Sequence, residues 1–275
     1  MGTELQRRGI DTGLPLWSAG ALLTRPDEVR AIHREYIDAG ADIITTNTFR
    51  TTRRMFTRAG LPDRSSAATT LAVSLALEAR SSTRDTKVLV AGSIAPLEDC
   101  YRPDLVPPDE ELRTEHAELA ARLAAAGVDF LLVETMNTIR EARAACAAAV
   151  ATGKEVVVSF ILDNAGDLYG GESLAEAIAA LAPLRPTGFS INCVSPRFLG
   201  KSVPMVRSLT PLPIAVYGNV GVPEQESGWE FTNDVGEDEY RSFAREWHRA
   251  GAAIVGGCCG TTPAYIAALA SLKGR

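Results

Sequence analysis

The sequence predicts a parallel α/β fold, namely a (β/α)8 TIM-type barrel from which the first strand is missing. A helix–glycine–strand module occurs three times, around Gly40, Gly127 and Gly251. Each of these glycines lies where the end of a helix requires a positive φ, which glycine adopts without a Cβ clash. Each module continues into a short apolar run that is typical of a parallel strand buried on both faces. Seven such strands alternate with helices along the chain, which favours a barrel.

The elements follow one another in a regular order. Residues 1–5 are expected to form the loop and helix that would follow the missing strand. Ser173 and Glu176 form a capping box that starts one helix, and Thr262 precedes a proline that starts another. The predicted strands are 43–46, 88–93, 130–133, 156–160, 188–192, 214–217 and 254–257. The predicted helices are 26–39, 63–80, 109–126, 138–151, 173–182, 198–209, 237–250 and 263–272.

An open doubly wound sheet is the alternative arrangement of the same elements. No G-x-G-x-x-G sequence follows an early strand, which argues against it. A chain of 275 residues is long enough for a barrel that forms one domain, so residues 1–275 are expected to be a single domain. The missing strand suggests a start codon assigned too late or a truncation. An open seam with exposed strand edges is then expected between the second and eighth strands of the barrel.

The charge and composition exclude several classes of partner. The net charge is −6 and no basic cluster is present, which argues against nucleic acid and anionic membrane surfaces as partners. No run of 18 apolar residues is present, and residues 1–8 lack the apolar core of a signal peptide. A cytoplasmic protein is therefore expected. In that reducing compartment, cysteines are free thiols, metal ligands or catalysts more often than disulfides.

Polar and thiol side chains follow the predicted strands. Because reactive residues of a parallel α/β barrel lie at the carboxyl ends of its strands, these side chains are expected at one mouth of the barrel. They are Asn47, Thr48, Glu134, Asp163, Asn192, Cys193, Tyr217, Asn219, Cys258 and Cys259. The three histidines, His33, His116 and His248, fall in predicted helices and are interpreted as structural.

Three of the strand-end residues are cysteines, namely Cys193, Cys258 and Cys259. Three thiolates at one mouth suit a tetrahedral Zn²⁺ whose fourth position is open. The flanking glycines would allow a sharp turn, so that the two adjacent cysteines could both be ligands. A disulfide between neighbouring residues is strained, and the cytoplasm disfavours it. Cys100 and Cys146 are interpreted as buried packing residues.

These motifs resemble those of the homocysteine S-methyltransferase family. The most specific part is Asn192-Cys193 after a strand together with the segment Gly256–Pro263. The resemblance extends over essentially the whole chain. Supporting segments are Leu16–Ala19, Pro26–Val29 with His33, Gly40–Asp42, Asn47–Phe49, Gly92–Pro96 and Glu134–Met136.

The resemblance implies a zinc-dependent transfer of a methyl group to the thiolate of homocysteine, giving methionine. Cys193, Cys258 and Cys259 would hold the zinc, and Glu134 would bind the ammonium group of homocysteine. The donor would be a small sulfonium compound, S-methylmethionine or S-adenosylmethionine. The other expected substrate-binding residues are Trp17, Ser18, Asn47, Thr48, Asn192 and Asn219. Trp17 could equally be a packing residue, and Asn192 could orient the neighbouring Cys193 or satisfy backbone groups.

Several departures and rival interpretations remain at this point. The family's first-strand aspartate is absent, so a catalytically impaired or regulatory relative that binds zinc or an amino acid is an alternative. A redox protein that uses Cys258 and Cys259 as a dithiol is another. An aldolase-like phosphate-binding barrel is a further alternative, but no lysine at the end of a predicted strand is evident that could form a Schiff base. Residues 218–236 form a long loop that is either a lid or ordinary surface. Residues 48–52 depart from the family pattern in a segment that could determine which methyl donor is used.

Overall fold

The computed structural model describes residues 1–83, 87–223, 229–232 and 234–273. Within these residues, seven parallel strands form one sheet in chain order, each paired with the strand that follows it. The strands are β1 (Ile43–Thr45), β2 (Leu89–Ile94), β3 (Phe130–Met136), β4 (Val156–Phe160), β5 (Gly188–Asn192), β6 (Ile214–Gly218) and β7 (Ile254–Gly257). All of their carboxyl ends therefore lie at the same edge of the sheet.

Helices connect the strands and cover the outer face of the sheet. Those in the described residues are α1 (Gly2–Arg7), α2 (Ala21–Thr24), α3 (Pro26–Asp38), α4 (Arg53–Arg58), α5 (Ser65–Ser81), α6 (Asp109–Ala126), α7 (Ile139–Val150), α8 (Leu174–Leu181), α9 (Pro196–Leu209), α10 (Glu237–Arg249) and α11 (Pro263–Ala270). Short 3₁₀ turns lie at Trp17–Gly20, Pro62–Arg64, Pro103–Leu105 and Ala182–Leu184. None of the described helices is long and apolar enough to cross a lipid bilayer.

The local signals in the sequence act as expected. Gly127 ends α6 in the left-handed region at φ 95°, and Gly40 and Gly251 also have positive φ. The capping box of Ser173 and Glu176 starts α8. The seven predicted strands are present with small differences in their ends. The exception is β3, which continues to Met136 instead of ending at residue 133.

An open groove separates β1 from β7, the two unpaired edges of the sheet in the described residues. Its volume is about 830 Å³, and its walls include Ile43, Ile44, Ile254 and Val255. Gly40, which follows α3, and Ala270, which ends α11, also line the groove and approach closely, since a Cβ added at Gly40 would lie 2.8 Å from the Cβ of Ala270. The described chain is thus a seven-stranded parallel α/β sheet whose edges face each other without pairing.

The two largest of three apolar clusters in the described residues hold this architecture together. The larger one lies between the sheet and its helices and includes Phe160, Phe189 and Trp247. The smaller one packs the N-terminal segment and α3 against α4 and α5, with Leu5, Leu22, Ile32, Phe56 and Ala72 among its members. Side chains at the carboxyl ends of the strands are therefore carried by a well-packed frame.

Candidate metal and substrate site

The three cysteines predicted at the strand ends meet in space. The sulfur atoms of Cys193, Cys258 and Cys259, here called the three-thiol cluster, all lie within 4.8 Å of one another. The Sγ atoms of Cys193 and Cys259 are 4.0 Å apart, and all three residues are half-buried. Among the described residues, no other convergent group of histidine, cysteine or acidic side chains accompanies this cluster.

A strained backbone places Cys193. The residue directly follows β5 and has a φ of 54°, a left-handed conformation that side chains other than glycine rarely adopt. Its N–H donates to the carbonyl of Tyr217 on β6 at 3.1 Å, which fixes the turn. Strain of this kind persists only where the surrounding structure enforces it, and it is common at functional sites.

A tight turn after β7 brings the two adjacent cysteines to the same cluster. The N–H of Cys258 donates to the carbonyl of Gly218 at 2.7 Å, and the carbonyl of Cys259 accepts from the N–H of Val220 at 2.8 Å. Gly260 follows with a φ of +79°, and a Cβ there would lie 1.6 Å from the carbonyl oxygen of Val220. Only glycine fits this position, so the glycines flanking the cysteines set the turn as the sequence suggested.

The three thiols share their protons unequally. Hydrogen bonds from Cys193 and Cys258 hold the pKa of Cys259 well below the usual thiol range, although burial opposes this effect. For Cys193, hydrogen bonds with Cys258 and then with Cys259 raise the pKa, and burial adds to the increase. Cys259 is therefore the first of the three to become a thiolate, which is the form that binds metals.

The residues fit a zinc ion in donor type and spacing. Zn²⁺ is four-coordinate with Zn–S bonds of about 2.3 Å, so two sulfur ligands of a tetrahedral site lie about 3.8 Å apart. The 4.0 Å separation of the Cys193 and Cys259 sulfurs is close to this value. Soft thiolates also favour zinc over hard cations such as Mg²⁺. Three protein ligands leave a fourth position for a substrate, as in catalytic zinc sites.

Glu134 lies beside the cluster but inside β3, whereas the sequence placed it after the strand. The pairing of β3 with β4 shifts between Val133 and Met136, and Thr135 has a φ of 62°. A bulge of this kind redirects side chains at the end of a strand. The strand therefore continues past Glu134, and its irregularity rather than its end presents the carboxylate to the site.

Burial and nearby charge perturb the carboxylate of Glu134. Ser93 Oγ donates to its Oε1 at 2.6 Å, and the hydroxyl of Tyr217 donates to its Oε2 at 3.1 Å. Burial, followed by the charge of Cys258, raises the pKa of Glu134 to about 7. The group is 8% exposed, so it is accessible to a small ligand while largely shielded from water.

Asn192 is fully buried behind the cluster, and of the two roles considered for it the structure shows the satisfaction of backbone groups. Its Oδ1 accepts from the N–H of Thr135 at 3.0 Å and from Ser159 Oγ at 2.6 Å. Its Nδ2 lies 4.0 Å from the sulfur of Cys258. The amide thus satisfies the strained backbone next to Glu134 and reaches Cys258 rather than its neighbour in sequence, Cys193.

The other predicted substrate residues lie near the end of β1 and are mostly engaged with one another. Ser18 Oγ donates to Asn47 Oδ1 at 2.6 Å, and Asn47 Nδ2 donates to the carbonyl of Ser18 at 2.9 Å. Thr48 Oγ1 donates to the carbonyl of Ser93 at 2.8 Å. Trp17 has a φ of 50°. These hydrogen bonds join Ser18 to Asn47 after β1, and Thr48 to Ser93 on β2. The contact of these residues with substrate stays a prediction.

Asn219 begins the long loop after β6. Its N–H donates to the carbonyl of Val194 at 3.1 Å, while its buried Oδ1 has no hydrogen-bond partner in the described part of the chain. Trp229 is 2% exposed and its indole N–H donates to the carbonyl of Val220 at 3.1 Å. Residues 224–228 and 233 of the expected lid lie outside the described residues, so the lid stays a prediction.

The sequence analysis missed the supports of the site. Ser93 and Ser159 carry hydrogen bonds to Glu134 and Asn192. Ser93 lies in the segment Gly92–Pro96 that resembles the family, which could have signalled it, whereas Ser159 lies inside a strand without any distinguishing motif. Cys100 and Cys146 are buried as expected, and burial raises the pKa of each thiol to about 12. The histidines lie in α3, α6 and α10, in agreement with the prediction.

A parallel α/β sheet with three convergent thiols at its carboxyl edge defines a class of α/β protein that can hold a metal ion through cysteine ligands. The comparison with known families specifies the class further. The family model described as "Homocysteine S-methyltransferase" matches residues 1–272. The chain therefore belongs to the homocysteine S-methyltransferase family.

Individual relatives are similar to the chain over most of their lengths. The chain is 33% identical over 298 residues to a selenocysteine Se-methyltransferase of Brassica oleracea var. italica, covering 98% of this chain and 86% of the relative. It is 31% identical over 299 residues to homocysteine S-methyltransferase 2 of Arabidopsis thaliana, covering 98% and 90%. The metallated form of the homocysteine methyltransferase MmuM from Escherichia coli superposes with a TM-score of 0.87 at 30% identity, covering 99% of this chain and 94% of that one.

Proposed function

We propose that the protein transfers a methyl group from a sulfonium donor to the thiolate of homocysteine and so produces methionine. The observation that carries the proposal is the convergence of the sulfur atoms of Cys193, Cys258 and Cys259 within 4.8 Å of one another at the carboxyl edge of the sheet. Membership in the homocysteine S-methyltransferase family supports the same conclusion. The two substrates would be homocysteine and either S-methylmethionine or S-adenosylmethionine.

The three-thiol cluster would hold one Zn²⁺. When bound, zinc supplies a Lewis acid that keeps a coordinated thiol deprotonated near neutral pH. The related E. coli methyltransferase has a metallated form, which supports a metal at this position. The fourth position would accept the sulfur of homocysteine, and Asn192 would hold Cys258 in place through its contact with that sulfur.

Glu134 would orient homocysteine through its ammonium group. The carboxylate is buried, accepts hydrogen bonds from Ser93 and Tyr217, and interacts with the charge of Cys258. A cationic ammonium placed against it would favour the ionised carboxylate and would be held by charge-assisted hydrogen bonds. The amino acid would then extend from Glu134 to the cluster with its sulfur directed at the open side.

The methyl transfer itself is a direct displacement. Homocysteine would release its thiol proton to solvent water on binding, and the resulting thiolate would use a lone pair to form a new S–C bond with the methyl group. The bond between that methyl carbon and the donor sulfonium breaks, and its electron pair stays on the donor sulfur, which becomes a neutral thioether. No oxidant or further reactant is needed. The protein positions the two sulfur atoms in line and excludes water, which accounts for much of the acceleration in such reactions.

Three further expectations, about the acceptor, the barrel and the cellular compartment, follow from the relatives, the fold and the cysteines. Because one similar protein is a selenocysteine Se-methyltransferase, a selenol would be a second acceptor at the same site. The likeness to the E. coli enzyme supports a TIM-type barrel in which the groove between β1 and β7 is the place of an eighth strand. Five free cysteines, of which three are expected to bind metal, suit the reducing cytoplasm.

Methionine formation by the purified, zinc-loaded protein tests the proposal. We expect methionine from homocysteine and a sulfonium donor, with loss of both zinc and activity in Cys258→Ser. Cys146→Ser is the matched control, because Cys146 is a buried thiol outside the cluster. Full activity of the metal-free protein would contradict the proposal. Zinc binding without any turnover would instead favour the impaired or regulatory relative.

A further inference from the structure

We propose that Tyr101 and Tyr169 form the face that binds the positively charged sulfonium group of the methyl donor. The inference rests on the proposed function and deepens it, because it assigns the donor side of the site to two residues. Neither residue belongs to the three-thiol cluster or to the hydrogen-bond network around Glu134.

The two rings form an ordered pair that links different loops. Tyr101 lies in the connection after β2, and Tyr169 lies in the connection after β4. Their ring centroids are 5.7 Å apart and their planes are inclined by 78°. In such an edge-to-face pair the edge of one ring meets the face of the other, so aromatic faces stay available for a third group. Tyr101 is half-buried and Tyr169 is 37% exposed, so the pair borders the solvent side of the mouth.

Asn137, the residue directly after β3, fixes both loops from below. Its Nδ2 donates to the carbonyl of Cys100, the residue before Tyr101, at 3.0 Å. Its own carbonyl accepts from the N–H of Gly170, the residue after Tyr169, at 2.9 Å. Asn137 is fully buried. The aromatic pair is therefore positioned by the frame of the sheet before any ligand arrives, which lowers the ordering cost of binding.

The pair lies at the same edge of the sheet as the three-thiol cluster, because the connections after β2 and β4 begin at the carboxyl ends of their parallel strands. Burial raises the pKa of the Tyr101 phenol, and the thiol of Cys193, once ionised, raises it further, followed by those of Cys100, Cys259 and Cys258. Burial also raises the pKa of Tyr169, and the charges of Cys100 and Cys193 contribute. Both hydroxyls thus lie within electrostatic range of the thiols. A ligand resting on the rings would have its charged end close to the sulfur nucleophile.

This arrangement suits a cation that loses its charge in the reaction. Aromatic faces attract positive charge through the ring quadrupole, and the attraction grows as water is excluded. The donor is a sulfonium cation before transfer and a neutral thioether afterwards. The rings would therefore hold the donor more tightly than its demethylated product. Glu134, whose pKa is raised by burial and then by the charge of Cys258, would hold the ammonium group of the acceptor. The acceptor and the donor would therefore bind to different residues.

Paired substitutions separate the aromatic face from the bulk of the side chain. In Tyr101→Leu and Tyr169→Leu, we expect the donor KM to rise by about 3- to 30-fold, the range that a cation–π contact spans. Tyr101→Phe and Tyr169→Phe keep the ring and should stay near the wild-type value. Zinc content and the homocysteine KM should be unchanged in all four, which a merely structural role for the loops would not predict.

A neutral isostere provides the second readout. 2-Amino-5-methylhexanoate has the shape of S-methylmethionine with an uncharged carbon in place of the sulfonium. In the wild type, the donor KM should be lower than the inhibition constant of the neutral isostere, which shows a preference for the cation. The leucine variants should lose that preference. An unchanged donor KM in both leucine variants, or an equal loss for cation and isostere, would overturn the assignment.

Different results would overturn the proposed function and the aromatic donor face. Absence of turnover by the wild type with every sulfonium donor would overturn the proposed function. Normal turnover with unaffected leucine variants would overturn only the aromatic donor face. If Tyr101→Leu does not fold, Tyr169→Leu still decides the question, because the Tyr169 ring is substantially exposed and its replacement disturbs little packing.

Discussion

Replacement of Glu134 by glutamine separates substrate binding from stability. The change keeps the shape of the side chain and its capacity to accept a hydrogen bond from Ser93, but it removes the negative charge. A hydrogen bond to a charged partner contributes about 1.5–3 kcal/mol, so the homocysteine KM should rise roughly 10- to 150-fold. Zinc content should not change, because Glu134 is not one of the three thiols.

The same substitution should stabilise the metal-free protein at alkaline pH. The pKa of Glu134 is raised from 4.5 to about 7, so its contribution to stability is complete below pH 4.5 and is lost as the pH rises through about 7. Each pH unit between the two values is worth about 1.36 kcal/mol. Ionised Glu134 therefore lowers the free energy of unfolding by about 3 kcal/mol at about pH 8, on an order-of-magnitude basis.

Two measurements check this prediction. Initial rates at saturating donor give the homocysteine KM, which in the wild type should also rise as the pH falls below about 7, where the carboxylate becomes neutral. Urea unfolding of the metal-free proteins should show Glu134→Gln to be the more stable at about pH 8, with the difference shrinking towards about pH 4.5.

Glu141→Gln is the matched control. Glu141 is fully buried and accepts hydrogen bonds in the wall between α6 and α7, where it contacts His116 at 3.1 Å. Its replacement should leave the homocysteine KM unchanged. A KM for Glu134→Gln within roughly threefold of the wild type, a difference worth under about 0.7 kcal/mol, would refute the role of the charge.

Two further predictions concern the turn and the thiols. Gly260→Ala should destabilise the protein by at least about 2 kcal/mol, because its methyl group would lie 1.6 Å from the Val220 carbonyl oxygen. Gly153 has a similar φ of +77°, but a Cβ there would have no neighbour within 4 Å. Equal losses of stability in Gly153→Ala and Gly260→Ala, measured by thermal unfolding, would disprove the steric cause. In metal-free protein, iodoacetamide should modify Cys259 before Cys146, since the pKa of Cys259 is lowered and that of Cys146 is raised. Peptide mass spectrometry that finds Cys146 modified first would contradict this order, and zinc should protect Cys259.

The strands and the meeting of the thiols were predictable because both depend on local signals and on one topological rule. Glycines such as Gly127 end helices, and the apolar runs that follow them form buried parallel strands. Once the strands are parallel and ordered, residues directly after β5 and β7 must share an edge. Cys193 and the pair Cys258–Cys259 therefore converge although more than sixty residues separate them in the chain.

The finer details of the site could not be predicted because they depend on tertiary contacts. Thr135 is β-branched and disfavours the φ of 62° that it adopts, so nothing in the sequence signalled the bulge that presents Glu134. The hydrogen bonds of Asn192 to Thr135 bridge 57 positions. The encounter of Tyr101 with Tyr169 depends on two long connections, and the short helix α4 lacks a periodic pattern long enough to recognise.

X-ray absorption at the zinc edge tests the central claim most directly. The zinc-loaded protein should show three sulfur neighbours at about 2.3 Å and one lighter atom. Addition of homocysteine should replace the lighter atom with a fourth sulfur. A spectrum with fewer than three sulfur neighbours, or one that homocysteine leaves unchanged, would contradict the claim that Cys193, Cys258 and Cys259 hold a metal whose open position receives the substrate's sulfur.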